Sequence, residues 1–136
     1  MEFSADYLNN VDSEHLPGDM GIRVLELGDD YALLELKLDK RHMNLNGYAH
    51  GGAIAALADT TAGYPTYTGR PEESKGFTTS EFKLNFLRPA LAGDTLRCRS
   101  KLINKGRSNW IWDATVFNPE SGKNIAEYRC TNIILY

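Results

Sequence analysis

The chain contains 136 residues, of which 42% are hydrophobic and 24% are charged, and its mean hydropathy is −0.41. This size and balance predict one compact domain over residues 1–136, since most domains contain about 100–150 residues. The formal net charge of −3 argues against a nucleic-acid-binding protein, and no apolar run approaches the roughly 20 residues of a membrane span. The two cysteines, Cys98 and Cys130, match neither a disulfide framework nor a paired zinc site, and they predict reduced thiols in a cytoplasmic protein.

The N-terminal part of the chain predicts a short helix and two strands. A helix is expected around residues 3–10 and a turn at 17–18. This stretch contains acidic side chains and no continuous apolar core, so a signal peptide is not expected. Strand-like runs follow at 21–27 and 31–38, and the second alternates apolar side chains on one face. A polar, asparagine-rich loop over 41–49 then leads into a helix entrance.

Residues 53–63 predict a buried helix. The segment is rich in alanine and apolar on nearly every side, which is typical of a helix enclosed by other elements. Gly63 and Pro65 are expected to end it. Asp59 is an acid in its middle, and burying an unpartnered carboxylate is costly. Asp59 is therefore either a functional acid or a residue that caps a backbone group or lies at the solvated edge of the helix.

The second half of the chain predicts four antiparallel strands in a meander. The first alternates over 78–86, and further strands are expected at 94–103, around 110–116 and at 124–135, with turn residues between them. A helix, two strands, one buried helix and four strands make an α+β fold. In this fold an antiparallel sheet wraps around one long central helix.

The glycine pair Gly51-Gly52 stands at the entrance of the buried helix. Free N–H groups at a helix N-terminus stabilise a developing negative charge, and glycine lets a substrate approach the backbone. The alternative is a plain tight entry turn. The neighbouring His50 is a candidate base, although a histidine at this position more often orients the loop or packs.

Helix geometry connects the glycine pair with the buried acid. Gly51 and Asp59 are eight residues apart, or about 12 Å along a helix. A reacting carbonyl must lie roughly 3 Å from its oxyanion donor and within reach of its nucleophile or base. One helix cannot satisfy both conditions, so if both residues are catalytic the protein is at least a dimer with two equivalent, shared sites.

The spacing Asn44-x5-His50-Gly51-Gly52-x6-Asp59 resembles that of the hotdog-fold acyl-CoA thioesterases, and within them the phenylacetic-acid-pathway (PaaI-like) branch. The resemblance covers nearly the whole chain and shows no departure at these positions. It implies the hotdog fold, an acyl-CoA substrate, no cofactor and no metal. It also implies a homodimer or a dimer of dimers. The net charge and the lack of an apolar span predict that neither nucleic acid nor a membrane is a partner. The alternative is a non-catalytic acyl-CoA-binding or regulatory hotdog protein.

The resemblance also implies catalytic roles for individual residues. The backbone N–H of Gly51 would polarise the thioester carbonyl with help from the Asn44 side chain. Asp59 of the partner subunit would be the nucleophile or the general base for water. His50 and Gly52 complete the motif, His50 as a further catalytic candidate and Gly52 at the substrate.

Hydroxyl and aromatic residues extend the predicted site. Thr79 falls where relatives can carry a serine or threonine that helps to hold the water. The register of this strand leaves Thr78 and Ser80 open as alternatives. Tyr64 follows Asp59 closely along the chain and is expected to line the acyl pocket, although aromatic residues are more often part of the core.

Coenzyme A is polyanionic, so the protein needs local positive charge to bind it. Basic residues are concentrated between 97 and 107, where they could attract phosphates despite the negative net charge. The basic residues on the strand itself alternate with apolar residues, as is typical of a solvated sheet face. Lys105 and Arg107, on the turn, are better phosphate candidates, and Arg88 is another.

Overall fold

In the computed structural model, which describes residues 3–136, six antiparallel strands form one sheet around a long helix. The elements in chain order are α1 (Ala5–Val11), α2 (Leu16–Met20), β1 (Arg23–Leu27), β2 (Ala32–Lys37), a 3₁₀ turn (Lys40–His42), α3 (Gly51–Gly69), β3 (Gly76–Phe86), β4 (Thr95–Lys105), β5 (Asn109–Phe117) and β6 (Asn124–Leu135). The strand order in the sheet is β1-β2-β4-β5-β6-β3. The predicted arrangement, an antiparallel sheet around one long helix, is therefore observed.

Helix α3 extends further than its sequence predicted. It begins at Gly51 and continues past Gly63 and Pro65 to Gly69, so the expected end was wrong. A proline inside a helix removes one backbone hydrogen bond, but Pro65 and Thr66 are buried, and this packing stabilises the last turns. The sheet provides this packing, since α3 contacts β2, β3, β4, β5 and β6. No helix in the described part of the chain combines the length and apolar character needed to cross a membrane.

The predicted four-strand meander is only partly correct. β4, β5 and β6 do follow one another, but β3 pairs with β6 at the far edge of the sheet, and β4 pairs with β2. Segment 87–94 connects the end of β3 to the start of β4. Within it, the carbonyl of Ala90 accepts the N–H of Ala49 at 2.8 Å, just before α3 begins. The crossover places β3 at the edge of the sheet opposite to β1 and β2, and both β2 and β3 contact α3. A largely apolar helix needs this cover.

The N-terminal segment forms two short helices. The helix expected over 3–10 corresponds to α1, and the Ser4 hydroxyl accepts a backbone N–H of its first turn at 3.1 Å. The turn expected at 17–18 lies inside α2, because proline is favoured in the first turn of a helix. α2 ends at Gly21, whose φ of 84° suits glycine. The segment between the two helices covers the part of α3 around Tyr64.

Candidate active site

Asp59 lies half-buried in the middle of α3, and hydroxyl groups from two strands hold its carboxylate. Oδ1 accepts a hydrogen bond from Thr79 Oγ1 at 2.9 Å and another from Tyr128 OH at 2.7 Å. Both hydrogen-bond partners are side chains, so Asp59 does not cap a backbone group, which was the alternative interpretation of this residue. Because both bonds go to Oδ1, Oδ2 is the oxygen available to a substrate or a water molecule.

The sequence left Thr78, Thr79 and Ser80 as alternatives for the hydroxyl beside Asp59, and a β-bulge determines that Thr79 faces the carboxylate. The register of β3 against β6 shifts between Thr79 and Glu81, and such a shift interrupts the alternation of side chains. Thr78 is exposed, and the hydroxyl of Ser80 donates to the carbonyl of Thr131 at 3.1 Å. Of the three, Thr79 is the one that contacts the carboxylate on α3.

Two residues of β6 that sequence reasoning missed lie beside Asp59. Tyr128 is 3% exposed; burial, with added effects from Cys130 and Asp59, raises its pKa, so the phenol keeps its proton and donates. Asn132 is 0% exposed, and its Oδ1 lies 3.1 Å from Thr79 Oγ1. Both lie on the inward face of β6. Both alternate along the strand in phase with the apolar Cys130 and Ile134, and a polar group in such a position is the signal that could have found them.

A cavity of about 330 Å³ adjoins Asp59. Tyr64 lies on its wall and donates its hydroxyl to the carboxylate of Asp12, which also binds His15 Nδ1 at 2.5 Å. Burial raises the pKa of Tyr64, and the bond to Asp12 adds to the effect. The remaining wall is mainly apolar or aromatic and includes Val11, Pro17, Tyr67 and Phe77.

The first turn of α3 presents a backbone N–H that the helix does not use. His50 is the N-cap residue, and its Nδ1 accepts the N–H of Gly52 at 2.8 Å. The His50 carbonyl accepts the N–H groups of Ala53 and Ile54. Within the described chain, no acceptor is bonded to the N–H of Gly51. This group can therefore bind a substrate oxygen, whereas the N–H of Gly52 is already occupied.

The surroundings of Gly51 leave little room for a side chain but include a positive charge. A Cβ at this position would lie 3.1 Å from Cζ of Phe86, an exposed side chain. Gly51 and Arg88 line the same cavity, of about 370 Å³. The Arg88 guanidinium donates to the carbonyl of Asn124 at 2.8 Å, which fixes its position beside the start of α3.

Asn44 lies on the loop before α3, where it lines a further cavity together with His50. Its Oδ1 accepts the N–H groups of Asn46 and Tyr48 at 2.9 and 3.2 Å. These bonds fix the loop. They also leave the amide NH₂ as the group that Asn44 can donate to a substrate carbonyl.

Gly51, Ala55 and Asp59 form one stripe along α3, the α3 stripe, because residues four apart share a helix face. All three are half-buried. The ends of the stripe are about 12 Å apart. Within one chain the structure therefore brings Asp59 together with Thr79, and Gly51 with Arg88, but it does not bring the two pairs to one point.

Lys105 and Arg107 lie near the C-terminal end of α3. Lys105 Nζ is 4.7 Å from the centre of the Trp110 ring, and Arg107 Cζ is 5.2 Å from the centre of the Tyr136 ring. The Trp110 ring contacts the last residue of α3, so both cations are distant from Gly51 in the same chain. Their role in phosphate binding stays a prediction. Nowhere in residues 3–136 are three or more His, Cys, Asp or Glu side chains grouped to hold a metal ion.

Known proteins share both the sequence and the fold of this chain. The family model described as thioesterase superfamily matches residues 46–125. The acyl-coenzyme A thioesterase PaaI of Escherichia coli K12 is 26% identical over 110 residues, which are 81% of this chain and 75% of that protein. A thioesterase structure from Haemophilus influenzae is 27% identical with a TM-score of 0.89, over 99% of this chain and 92% of the other. The structure of the E. coli PaaI protein from the phenylacetic acid degradation operon, at 22% identity, has a TM-score of 0.84 over 93% and 88% of the two chains.

The family match covers more than half of the chain and includes both ends of the α3 stripe. It confirms the family predicted from the spacing between Asn44 and Asp59. The structural relatives confirm the predicted hotdog fold, and the names of the relatives agree with the prediction of a thioester hydrolase. The chain belongs to the thioesterase superfamily and has the hotdog fold of its PaaI-like members.

Proposed function

We propose that this protein is an acyl-CoA thioesterase, which hydrolyses a thioester to a free acid and CoA in active sites shared between two subunits. The observation that carries the proposal is an unused N–H at Gly51 and an oriented carboxylate at Asp59 on one stripe of α3. The two groups are about 12 Å apart. One carbonyl reaches both only if Gly51 of one subunit faces Asp59 of the partner subunit.

A twofold axis near Ala55 would meet this requirement. Two antiparallel copies of α3 that cross there would give two equivalent sites, and a small side chain at the crossing lets helices approach to about 8–10 Å. Beside α3, the edge strand β3 and the residue after it expose apolar side chains at Phe82, Phe86 and Leu87. An open strand edge and an apolar patch both favour association. These features support a homodimer, and the resemblance to PaaI-like thioesterases extends the proposal to a dimer of dimers.

The start of α3 would stabilise the oxygen of the thioester. As the carbonyl carbon becomes tetrahedral, negative charge develops on this oxygen, and a fixed N–H directed at it lowers the barrier. Gly51 would donate its N–H, and Asn44 would donate its amide NH₂ to the same oxygen. His50 would act by holding the first turn of α3 in place through its bond to the neighbouring N–H.

Asp59 would supply the reacting carboxylate through Oδ2. In one route Oδ2 bonds to the carbonyl carbon, the CoA thiolate leaves, and water then hydrolyses the resulting anhydride. In the other route Oδ2 takes a proton from water while the water oxygen bonds to the carbon. Collapse of the tetrahedral intermediate then breaks the C–S bond, and the thiolate receives the proton. In both routes Thr79 would orient the carboxylate and help to hold the water.

The acyl and CoA parts of the substrate would bind to different surfaces. The acyl group would enter the cavity next to Asp59, with Tyr64 on its wall. Arg88, beside the start of α3, would bind CoA phosphates, and Gly52 would line the entry of the pocket. Lys105 and Arg107 would add positive charge elsewhere on the surface.

The proposed chemistry uses groups of the chain itself and requires no cofactor. The buried thiols Cys98 and Cys130 are unpaired in the structure. Free buried thiols are typical of a reducing compartment, and they support a location in the cytoplasm.

A panel of aryl, short aliphatic and long aliphatic acyl-CoAs, followed with a thiol reagent, tests the proposed function. We expect the wild-type protein to release CoA from at least one member. Release from none of them would contradict the proposal. Calorimetric binding of acyl-CoA without release would instead identify a non-catalytic acyl-CoA-binding module, for which the fold itself would be sufficient.

A further inference from the structure

A buried polar network lies on the side of Thr79 away from Asp59. Asn132 is 0% exposed at its centre. Its Nδ2 donates to Thr66 Oγ1 at 2.9 Å, and its Oδ1 lies 3.1 Å from Thr79 Oγ1. Burying an amide is costly unless its polar atoms are hydrogen-bonded, and a leucine would fill this position on β6 without that requirement. The presence of Asn132 therefore points to a use for its amide.

The hydrogen bonds around Asn132 fix which way its amide faces. The Thr66 hydroxyl has one proton and donates it to the carbonyl of Ala62 at 2.9 Å. Thr66 can then only accept from Asn132, so the amide NH₂ faces Thr66 and the amide oxygen faces Thr79. Burial raises the pKa of Cys130 to about 11, so this thiol keeps its proton and donates to the same oxygen, with the two atoms 3.7 Å apart.

The Thr79 hydroxyl thus has one proton and two acceptors. Asp59 Oδ1 lies at 2.9 Å and Asn132 Oδ1 at 3.1 Å. While Asp59 is ionised, the proton is directed at the carboxylate, because a charge-assisted hydrogen bond is about twice as strong as a neutral one. When the carboxylate loses its charge, this advantage disappears. The amide oxygen of Asn132 is then the better acceptor, because it carries more negative charge than the carbonyl oxygen of an acid or an anhydride.

We propose that Asn132 is a positioning residue for the thioester hydrolysis proposed above, on which this inference rests. It gives the Thr79 hydroxyl an acceptor at the moment when negative charge leaves Asp59. Charge leaves this carboxylate both when Oδ2 bonds to carbon and when it takes a proton from water. In either route the Thr79 hydroxyl rotates toward Asn132 and donates a hydrogen bond to it. In the transition state this bond replaces the one that Thr79 donates to the ionised Asp59.

Substitution of Asn132 by leucine tests this role, because leucine keeps the number and branching of the heavy atoms and removes the acceptor. We expect Asn132→Leu to lower kcat about five- to tenfold, the equivalent of one hydrogen bond, and to leave KM within about twofold. The same substitution in a Thr79→Val background should change kcat no further, because Asn132 acts through Thr79. Ser100→Ala is the matched control: it removes a buried hydroxyl that accepts the N–H of Ala32 at 2.9 Å on a distant strand and should leave kcat unchanged.

A second variant covers the case in which Asn132→Leu does not fold. Thr66→Val keeps the shape of the side chain and removes the closer acceptor of the Asn132 amide, leaving only the carbonyl of Ala62 at 3.5 Å. The kcat should therefore fall about threefold with Thr79 intact and remain unchanged in the Thr79→Val background. Wild-type kcat in folded Asn132→Leu or in Thr66→Val, or additive losses with Thr79→Val, would overturn the inference while leaving the proposed function intact. Failure of the wild-type protein to hydrolyse any acyl-CoA would overturn both.

Discussion

The two ends of the α3 stripe are held in place by different kinds of contact. Asp59 depends on partners that are distant along the chain, the hydroxyls of Thr79 and Tyr128, which lie 20 and 69 residues away. Gly51 depends on its neighbours, because His50 caps the helix by accepting an N–H two residues further on. Tertiary structure therefore orients the carboxylate, whereas local backbone geometry leaves the N–H free.

This difference determines how substitutions should act at each end. At the Asp59 end the chemistry lies in side chains, so removing a charge or a hydroxyl changes activity directly. At the Gly51 end the reactive group belongs to the backbone. A substitution of Gly51 should reduce activity if it removes the N–H, displaces the first turn of α3 or blocks the approach of the substrate.

The largest effect is expected for Asp59→Asn. Asparagine keeps the size of the side chain and an oxygen that can accept from both hydroxyls, but it loses the charge and the basicity. We expect kcat to fall about 10²- to 10⁴-fold, measured by thiol release on the best substrate of the panel.

Asp113→Asn is the control for this substitution. It neutralises a carboxylate on the outer face of the sheet that pairs with Arg129 at 2.5 Å, and it should leave the rate unchanged. If folded Asp59→Asn kept more than about a tenth of the wild-type kcat, the carboxylate would not be the reacting group.

Gly51→Pro should have the next largest effect. Proline is favoured at the first position of a helix, and His50, with φ of −61° and ψ of 135°, has the conformation that a residue before proline prefers. The substitution therefore removes the N–H with little change in the backbone, and kcat should fall about 10²- to 10³-fold. Gly51→Ala is the control, because it brings the same Cβ close to Phe86 but keeps the N–H. If Gly51→Ala is active and Gly51→Pro has the same rate, the Gly51 N–H is not the oxyanion donor.

Mixed dimers test whether the two ends of the stripe meet between subunits. A heterodimer of one Gly51→Pro chain and one Asp59→Asn chain would contain one doubly altered site and one unaltered site. We expect thiol release in the mixture to return far above the residual rate of either homodimer, which is about 10²-fold or more below that of the wild type. Tagged heterodimers, isolated by tandem affinity purification, would provide the measurement. If they were inactive, the site would be contained in one subunit.

Sequence reasoning predicted the Gly51 end of the stripe better than the Asp59 end. The glycine pair, the capping residue and the start of the helix are contiguous, and helix geometry alone sets the distance to Asp59. The strands and the central helix were also readable from their apolar patterns. Tyr128 and Asn132 could not be placed because their contacts depend on β3 pairing with β6, a long-range pairing that a meander does not contain. The bulge after Thr79 likewise depends on that pairing.

Tyr128→Phe is expected to have a smaller effect than either change at the ends of the stripe. The ring would keep its packing against Phe82, whose centroid lies 5.3 Å away, while Asp59 Oδ1 would lose one of its two donors. We expect kcat to fall about fivefold to tenfold, because one hydrogen bond no longer orients the carboxylate. Thiol release at saturating substrate would measure this change in kcat. An unchanged kcat would show that Thr79 alone is sufficient to orient Asp59.

His50 substitutions have the smallest expected effect, and they separate capping from catalysis. His50→Ala removes the acceptor of the Gly52 N–H and should lower the free energy of unfolding by about 1 kcal/mol, measured by urea denaturation at fixed protein concentration. Asparagine is a preferred N-cap residue, so His50→Asn should keep both the stability and, within about twofold, kcat. A general base would behave differently, since its loss costs about 10²- to 10⁴-fold in rate even in a stable protein. Such a loss in His50→Asn would make His50 a catalytic base, and the Gly51 end of the stripe would then depend on side-chain chemistry as the Asp59 end does.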